Sequence, residues 1–320
     1  MTLIHLVSWL VLNKIGEMDV KLFVIVVTYK GKQWYDRCFT SLRDSTMPIQ
    51  TVVVDNASND GTVEYIREHF PEIHLIESKS NLGFGRANNR GMRYALDNGC
   101  DYVFLLNQDT CVEPASLADL VALHKKNPEY GILSPMHLTG DMKHLNILFK
   151  DGNLRCNYEL ISDMYCGRMK ELYEMEYVNA AAWLLPRRTL EIVGGFDPIF
   201  LHYAEDDDYL RRVRFHGLRV GLCPKVKIVH DHTNLINPFV FENQNYRREQ
   251  ILVLEQTDLN SPYTLNKYLF FLSRKMVLGL IKGNWNQVKQ MRSDYAFLKK
   301  MRPRIKQSRF ENSQSKASWL

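Results

Sequence analysis

The chain has no CxxC pair, no internal repeat and no low-complexity segment. Its six cysteines, at 38, 100, 111, 156, 166 and 223, are scattered along 320 residues. This excludes the disulfide framework of a small secreted domain and a cysteine-rich zinc cluster, and it predicts reduced thiols in a cytoplasmic protein. Long apolar runs are also missing. Residues 3–12 are apolar but too few to span a bilayer, and they lack a basic flank and a small-residue cleavage site. They fit either a short membrane-touching helix or an extension ahead of a domain that begins near Met18. Acidic side chains are scarce at the other end. From Tyr263 onward 13 Lys+Arg face 2 Asp+Glu, a net of +11, whereas the first 262 residues hold 28 against 34, a net of −6. An acidic body with a basic tail excludes a typical nucleic-acid-binding core and predicts a surface contact made by the tail.

What is present is a rhythm of short apolar runs. Residues 21–27 (KLFVIVV), 51–54 (TVVV), 73–76 (IHLI) and 102–106 (YVFLL) read as strands buried on both faces. Helical patterns near 33–45, 60–69 and 84–97 separate them, which predicts βαβ units and a parallel sheet. A further helix is expected over 115–127, opened by Pro114. Beyond it the alternation fails: residues 138–176 read as irregular, with a hairpin near 151–153. A second organised block runs over 177–232, and the tail over 263–305 reads as helical.

Several strand ends carry polar residues. The run FLLNQDT stops on Asn107, Gln108 and Asp109. A turn into solvent explains that ending, and so does a metal ligand lifted to the rim of a parallel sheet. With oxygen donors, the second reading suits Mg²⁺ or Mn²⁺. Asp55 ends the second strand run, where a carboxylate can accept the imide N–H of a pyrimidine base; Asp60 reads as the cap of the next helix. The loop NLGFGRANNRG holds Gly83 and Gly85, but Asn88 stands where a dinucleotide fingerprint has its third glycine. It reads as a loop that lets backbone approach a nucleotide with Arg86 near a phosphate, or as a helix start capped by Asn81. In YAEDDDYLRR four acids, Glu205, Asp206, Asp207 and Asp208, share a helix start; the macrodipole favours that, yet clustering of like charges also marks sites. His230 ends a strand-like run over 225–229.

In this order, VIVVTY, VVVDNASNDGT, NLGFGRANNRG, LLNQDT, GGFDPIF, YAEDDDYLRR and VHDH resemble the family 2 glycosyltransferases, in particular rhamnosyltransferase-like members that build bacterial surface polysaccharides. The resemblance covers roughly residues 20–235. It implies a GT-A fold, a mostly parallel central sheet flanked by helices, followed by a helical tail. It divides the chain into an extension (1–19), a glycosyltransferase domain (20–240, with its nucleotide-binding half at 20–110 and its acceptor and catalytic half at 111–240) and a basic helical region (241–320). The implied reaction is inverting transfer from a UDP- or dTDP-sugar to a saccharide or lipid-linked acceptor. LLNQDT then occupies the place of the metal-binding DXD motif. Asn107 stands where the first Asp belongs, so Asp109 becomes the principal ligand and His230 a second.

Carried over by motif, Thr28, Asp55, Asn81, Gly83, Arg86, Asn89 and Asn107 would form the nucleotide pocket. Glu205 and Asp206 match the ED pair whose Asp is the catalytic base, and Trp183 and Asp208 fall on the acceptor side. The cation would neutralise the diphosphate leaving group, and one displacement needs no protein nucleophile. Nucleic acid is not an expected partner, whereas a membrane surface is, through the basic helices. An oxidoreductase built on Gly83 and Gly85 leaves LLNQDT and the acidic cluster without a role. A non-catalytic nucleotide-sugar-binding module with a retained GT-A fold is the alternative, since Asn107 departs from the pattern.

Overall fold

The computed structural model describes residues 20–150, 152, 157–231, 244–262 and 264–320. The N-terminal extension and the hairpin expected near 151–153 lie wholly or largely outside them. Strand β1 (Leu22–Thr28) pairs in parallel with β2 (Ile49–Asp55) and β4 (Tyr102–Asn107), and β2 pairs with β3 (His74–Glu77). The connecting helices are α1 (Lys32–Arg43), α2 (Thr62–His69) and α3 (Phe84–Asp97). All lie within a residue or two of the expected spans, the usual spread at element ends.

The strand runs look continuously apolar because both faces are covered. Leu22, Val24 and Val26 join a cluster with Tyr35, Phe39 and Leu42 of α1, whereas Phe23 and Ile25 join another with Ala87, Met92 and Ala95 of α3. Each such side chain, fully buried, stabilises the fold by about 1.5–3 kcal/mol.

The second half departs from the expected mostly parallel sheet. Strand β5 (Thr110–Val112) and helix α4 (Ser116–Lys126) lead into β6 (Tyr130–Leu138), a nine-residue strand inside the region where the alternation was read as lost. Pro135 hides it: proline weakens a strand reading, and the β6 register against β9 (Arg219–His230) shifts between Pro135 and Met136. Helix α5 (Tyr158–Tyr165), strand β7 (Tyr173–Glu174) and strand β8 (Ala182–Pro186) follow, so the supposedly irregular stretch is partly ordered. Along the sheet the order is β3-β2-β1-β4-β8-β6-β9-β5, with β7 on β9. The pairs β4–β8, β5–β9, β6–β8 and β7–β9 are antiparallel, so the sheet is mixed.

Helices α6 (Arg187–Val193) and α7 (Glu205–Phe215) cover the β8 side. The C-terminal region forms α8 (Gln244–Thr257), α9 (Leu265–Ile281) and α10 (Trp285–Asn312) around a third cluster that includes Leu252, Leu272, Leu298 and Ile305. Asp197 of GGFD anchors this region. Its Oδ2 accepts from Ser308 Oγ (2.5 Å) and Asn312 Nδ2 (2.8 Å), all buried. Cys38, Cys100, Cys111, Cys166 and Cys223 are free thiols, as the spacing predicted.

Candidate active site

The strand order reverses between β1 and β4, and open α/β sheets bind ligands at the carboxyl ends of the strands beside such a switch. Thr28, Asp55 and Asn107 are the last residues of β1, β2 and β4. FLLNQDT therefore ends at this rim and not in an arbitrary surface turn.

Hydrogen bonds tie the rim together. Thr28 Oγ1 donates to Asp55 Oδ1 (3.0 Å), and the Ser58 amide donates to Asp55 Oδ2 (2.9 Å). Gln108 holds Tyr29 twice, accepting its amide at Oε1 (2.9 Å) and donating from Nε2 to its carbonyl (3.2 Å). Asn56 Nδ2 donates to Asn81 Oδ1 (2.9 Å), while Asn56 Oδ1 accepts from the Leu82 amide (2.7 Å). The N-cap of α2 is Gly61 and not the expected Asp60, whose Oδ1 instead accepts from the Thr62 amide (3.2 Å) and hydroxyl (2.5 Å) just ahead of the helix.

The glycine loop serves a purpose other than the one expected of it. Gly83 has φ +80°, and a side chain there would meet the Leu201 carbonyl at 2.2 Å; at Gly85 one would meet Phe196 at 2.8 Å and Glu205 at 3.8 Å. The glycines let α3 approach the segment that carries the acidic cluster. Asn81 turns the loop by accepting from the Gly83 amide (2.9 Å).

Four of the carried-over residues have partners inside the protein. Asn89 makes two reciprocal bonds to the Phe196 backbone (2.7 and 2.8 Å), which occupies its amide internally. Arg86 Nη2 donates to the Pro198 carbonyl (2.7 Å), and the N-cap of α3 is Gly83, with no side-chain cap from Asn81. Trp183 is fully buried, stacked on Phe196 at 6.1 Å, so it backs the site from the core and no acceptor reaches it. Asp208 is buried in an ion pair with Arg212 Nε (2.8 Å), and Arg212 also donates to the Val193 and Gly195 carbonyls. That pair bolts α7 to the GG turn. Burial outweighs the Arg212 charge and lifts Asp208 to about 6.

Glu205 and Asp206 open α7 behind two left-handed residues, Tyr203 (φ +67°) and Ala204 (φ +69°), an uncommon backbone that costs on the order of 1–3 kcal/mol per residue and clusters at functional sites. Burial raises Glu205 to about 8, with the Asp206 charge adding to it; Glu205 Oε2 is buried without a hydrogen-bond partner among the described residues. Burial raises Asp206 as well, but Tyr177 OH donates to its Oδ2 (2.8 Å) and the Asp207 amide to its Oδ1 (2.9 Å), which favours its anion. Burial raises both carboxyls, and only Asp206 has the Tyr177 and Asp207 donors that favour its ionised form. The sequence assigns no role to Tyr177, Gln108, Asn56 or Ser58; no spacing links Tyr177 to Asp206.

Asp109 and His230 meet where β5 pairs with β9: Thr110 lies opposite His230, and Nε2 is 3.4 Å from Asp109 Oδ1, both side chains buried. The Asp231 amide donates to the Asp109 carbonyl (2.9 Å), and Asn146 Nδ2 donates to the His230 carbonyl (3.1 Å). Among the described residues no three His, Cys, Asp or Glu converge as a metal site. One carboxylate and one imidazole still fit a divalent cation that takes its other ligands from substrate phosphates and water. Two cavities, of about 600 and 550 Å³, lie elsewhere, one between α1 and the start of β2 and the other between α3 and Trp319. The rim is a better guide to the site than either, because it alone gathers the strand ends.

The mixed sheet with its flanking helices is a GT-A-like fold. The Glycosyl transferase family 2 pattern matches residues 23–169. Among curated proteins, the hexosyltransferase Agl10 of low-salt glycan biosynthesis in Haloferax volcanii is 24% identical over 212 residues, 66% of this chain and 67% of Agl10. The N-acetylglucosaminyl-diphospho-decaprenol L-rhamnosyltransferase of Mycobacterium tuberculosis is 25% identical over 239 residues, 65% of this chain and 75% of that protein. Among solved structures, S. aureus TarS has a TM-score of 0.54 at 15% identity; the match covers 92% of this chain but 54% of TarS, so this chain spans about half its length. A TarS fragment, 1–349, solved in complex with UDP-GlcNAc, has a TM-score of 0.53 at 15% identity, covering 92% of this chain and 89% of the fragment. The chain is thus similar to family 2 glycosyltransferases, a rhamnosyltransferase among them.

Proposed function

We propose that this protein transfers a hexosyl group, with inversion, from a UDP- or dTDP-sugar such as dTDP-rhamnose to a saccharide or lipid-linked acceptor in surface polysaccharide synthesis. The observation that carries the reading is the Asp206 carboxylate, turned toward its anion by Tyr177 OH and the Asp207 amide beside a protonated Glu205. In this reading Asp206 takes the proton of the acceptor hydroxyl as it attacks the anomeric carbon, a role worth about 10²–10⁴-fold in rate. Glu205, neutral beside it, avoids a second charge and leaves Asp206 the sole base. Thr28, Asp55, Asn81 and Asn107 line the nucleotide side of the rim, with Gly83 shaping the loop.

Asp109 and His230 would hold a Mg²⁺ or Mn²⁺ ion, which when bound neutralises charge on the diphosphate leaving group. The basic C-terminal region would hold the enzyme at the membrane where a lipid-linked acceptor resides. The TarS complex with UDP-GlcNAc and the rhamnosyltransferase relative favour this donor class. A non-catalytic module that only binds nucleotide sugars predicts donor binding without turnover.

The purified chain, incubated with a panel of UDP- and dTDP-sugars plus acceptor and divalent metal, should release the nucleoside diphosphate and yield a product of opposite anomeric configuration by NMR. Retained configuration overturns inversion; binding without release overturns catalysis.

A further inference from the structure

Helix α9 is apolar on two opposite sides, and among the described residues only one of them is packed. Leu269 and Leu272 bury against Leu298 and Ile305. On the other side Phe270, Phe271, Val277, Leu278 and Ile281 recur at helical spacing, with Trp285 just past the turn. All stand in solvent: Phe270 is 65% exposed, Ile281 76% and Trp285 69%. An exposed apolar face of this kind, broken only by Arg274 at its middle, marks an interaction surface, since exposed apolar residues on ordinary surfaces are scattered singly.

The charges around it select the partner. Residues 265–293 contain six basic side chains, Lys267, Arg274, Lys275, Lys282, Lys289 and Arg292, and no acid. A second copy docked through the same face would set these cations against themselves, because a two-fold interface is self-complementary. An anionic bilayer satisfies both features: the apolar face enters the headgroup boundary while the long basic side chains reach the lipid phosphates. The helix is suited to lie on such a surface. No helix among the described residues is long and apolar enough to cross a membrane. Asp197 fixes this surface to the body through Ser308 and Asn312, so a docked α9 holds the whole enzyme at a set orientation.

We infer that the outer face of α9, with Trp285, docks the protein on an anionic membrane surface by shallow insertion of Val277, Ile281 and Trp285. This deepens the lipid-linked-acceptor reading above and rests on it for its purpose, though not for its physics.

The test is co-flotation of the full chain with phosphatidylcholine vesicles, with and without phosphatidylglycerol, for the wild type, Val277→Asp/Ile281→Asp and Lys275→Glu/Lys282→Glu. All four positions are solvent-facing or half-buried, and circular dichroism with light scattering checks fold and mass. The wild type should bind the anionic vesicles and hardly the neutral ones. Removing a basic residue should cost about fivefold in partitioning, and the aspartates should abolish flotation even at low salt. Equal, negligible flotation of all three proteins overturns the inference, as does a wild-type dimer that Val277→Asp/Ile281→Asp converts to monomer. Transfer to a water-soluble saccharide acceptor is measured in parallel. Its persistence without flotation removes only the docking surface; flotation without any transfer removes the enzymatic reading instead.

Discussion

Tyr177 OH lies 2.8 Å from Asp206 Oδ2 and donates to it, 29 residues away in sequence and from a different part of the chain. A hydrogen bond to a carboxylate favours its ionised form. The phenol is itself pushed well above its ordinary range, by burial first and by the Asp206 charge second, so it stays a donor throughout the working pH range.

Tyr177→Phe should therefore raise the Asp206 pKa further. Hydrogen bonds to charged groups contribute about 1.5–3 kcal/mol, so the acid limb of the rate–pH profile should move up by about one to two pH units. Transfer rates between pH 5 and 9 check this. An unchanged limb with a uniformly lower rate would make Tyr177 merely structural.

Glu205 supplies a stability prediction with a definite sign. Its carboxyl is raised from the ordinary 4.5 to about 8 by burial, so the native state binds a proton that the unfolded chain has already lost. Native stability from this group is fully present below about 4.5 and declines as pH rises toward 8. Glu205→Gln should leave Tm nearly unchanged at pH 4 and raise it relative to wild type at pH 9. Thermal melts at both pH values are the check; a Tm difference that is the same at both would mean Glu205 is not protonated in the native state.

The proposed role of Asp109 and His230, 3.4 Å apart, predicts metal dependence. EDTA should abolish transfer, and added Mg²⁺ or Mn²⁺ should restore it. Asp109→Ala should lose transfer while keeping the native circular dichroism spectrum. Full activity of metal-stripped protein would remove the assignment.

Asp197 tests how firmly the C-terminal helices are joined to the body. Asp197→Ala leaves the Ser308 hydroxyl, the Asn312 amide and the Ile199 N–H without their acceptor. Each buried group left unsatisfied costs about 1–3 kcal/mol, so the melting temperature should fall by several degrees. A Tm equal to wild type would contradict an anchoring role.

Much of the fold was written locally. β1, β2 and β4 are recognisable as β-branched runs because burial on both faces removes any alternation. β6 escaped because Pro135 sits within it at a register shift, where the bulged pairing tolerates a residue that a regular ladder would not. At the site, the ends of β2 and β4 were readable because Asp55 and Asn107 directly follow apolar runs, with Asp109 two residues further on. The internal partners of Arg86, Asn89, Trp183 and Asp208 were not legible, because Phe196, Pro198 and Arg212 supply them, more than a hundred residues away for the first two. Tyr177 left no signal for the same reason. The helical spacing in the tail was legible, but it could not show that α9 has a second apolar face.

The central claim is that Asp206, not its neighbours, is the general base. Transfer rate and donor affinity of Asp206→Asn and Asp207→Asn, measured side by side, test it most directly. Asp206→Asn should lose about 10²–10⁴-fold in rate while binding the nucleotide sugar as well as wild type does, and Asp207→Asn should be much milder. Loss confined to Asp207→Asn, or near-normal turnover in both variants, would contradict the account.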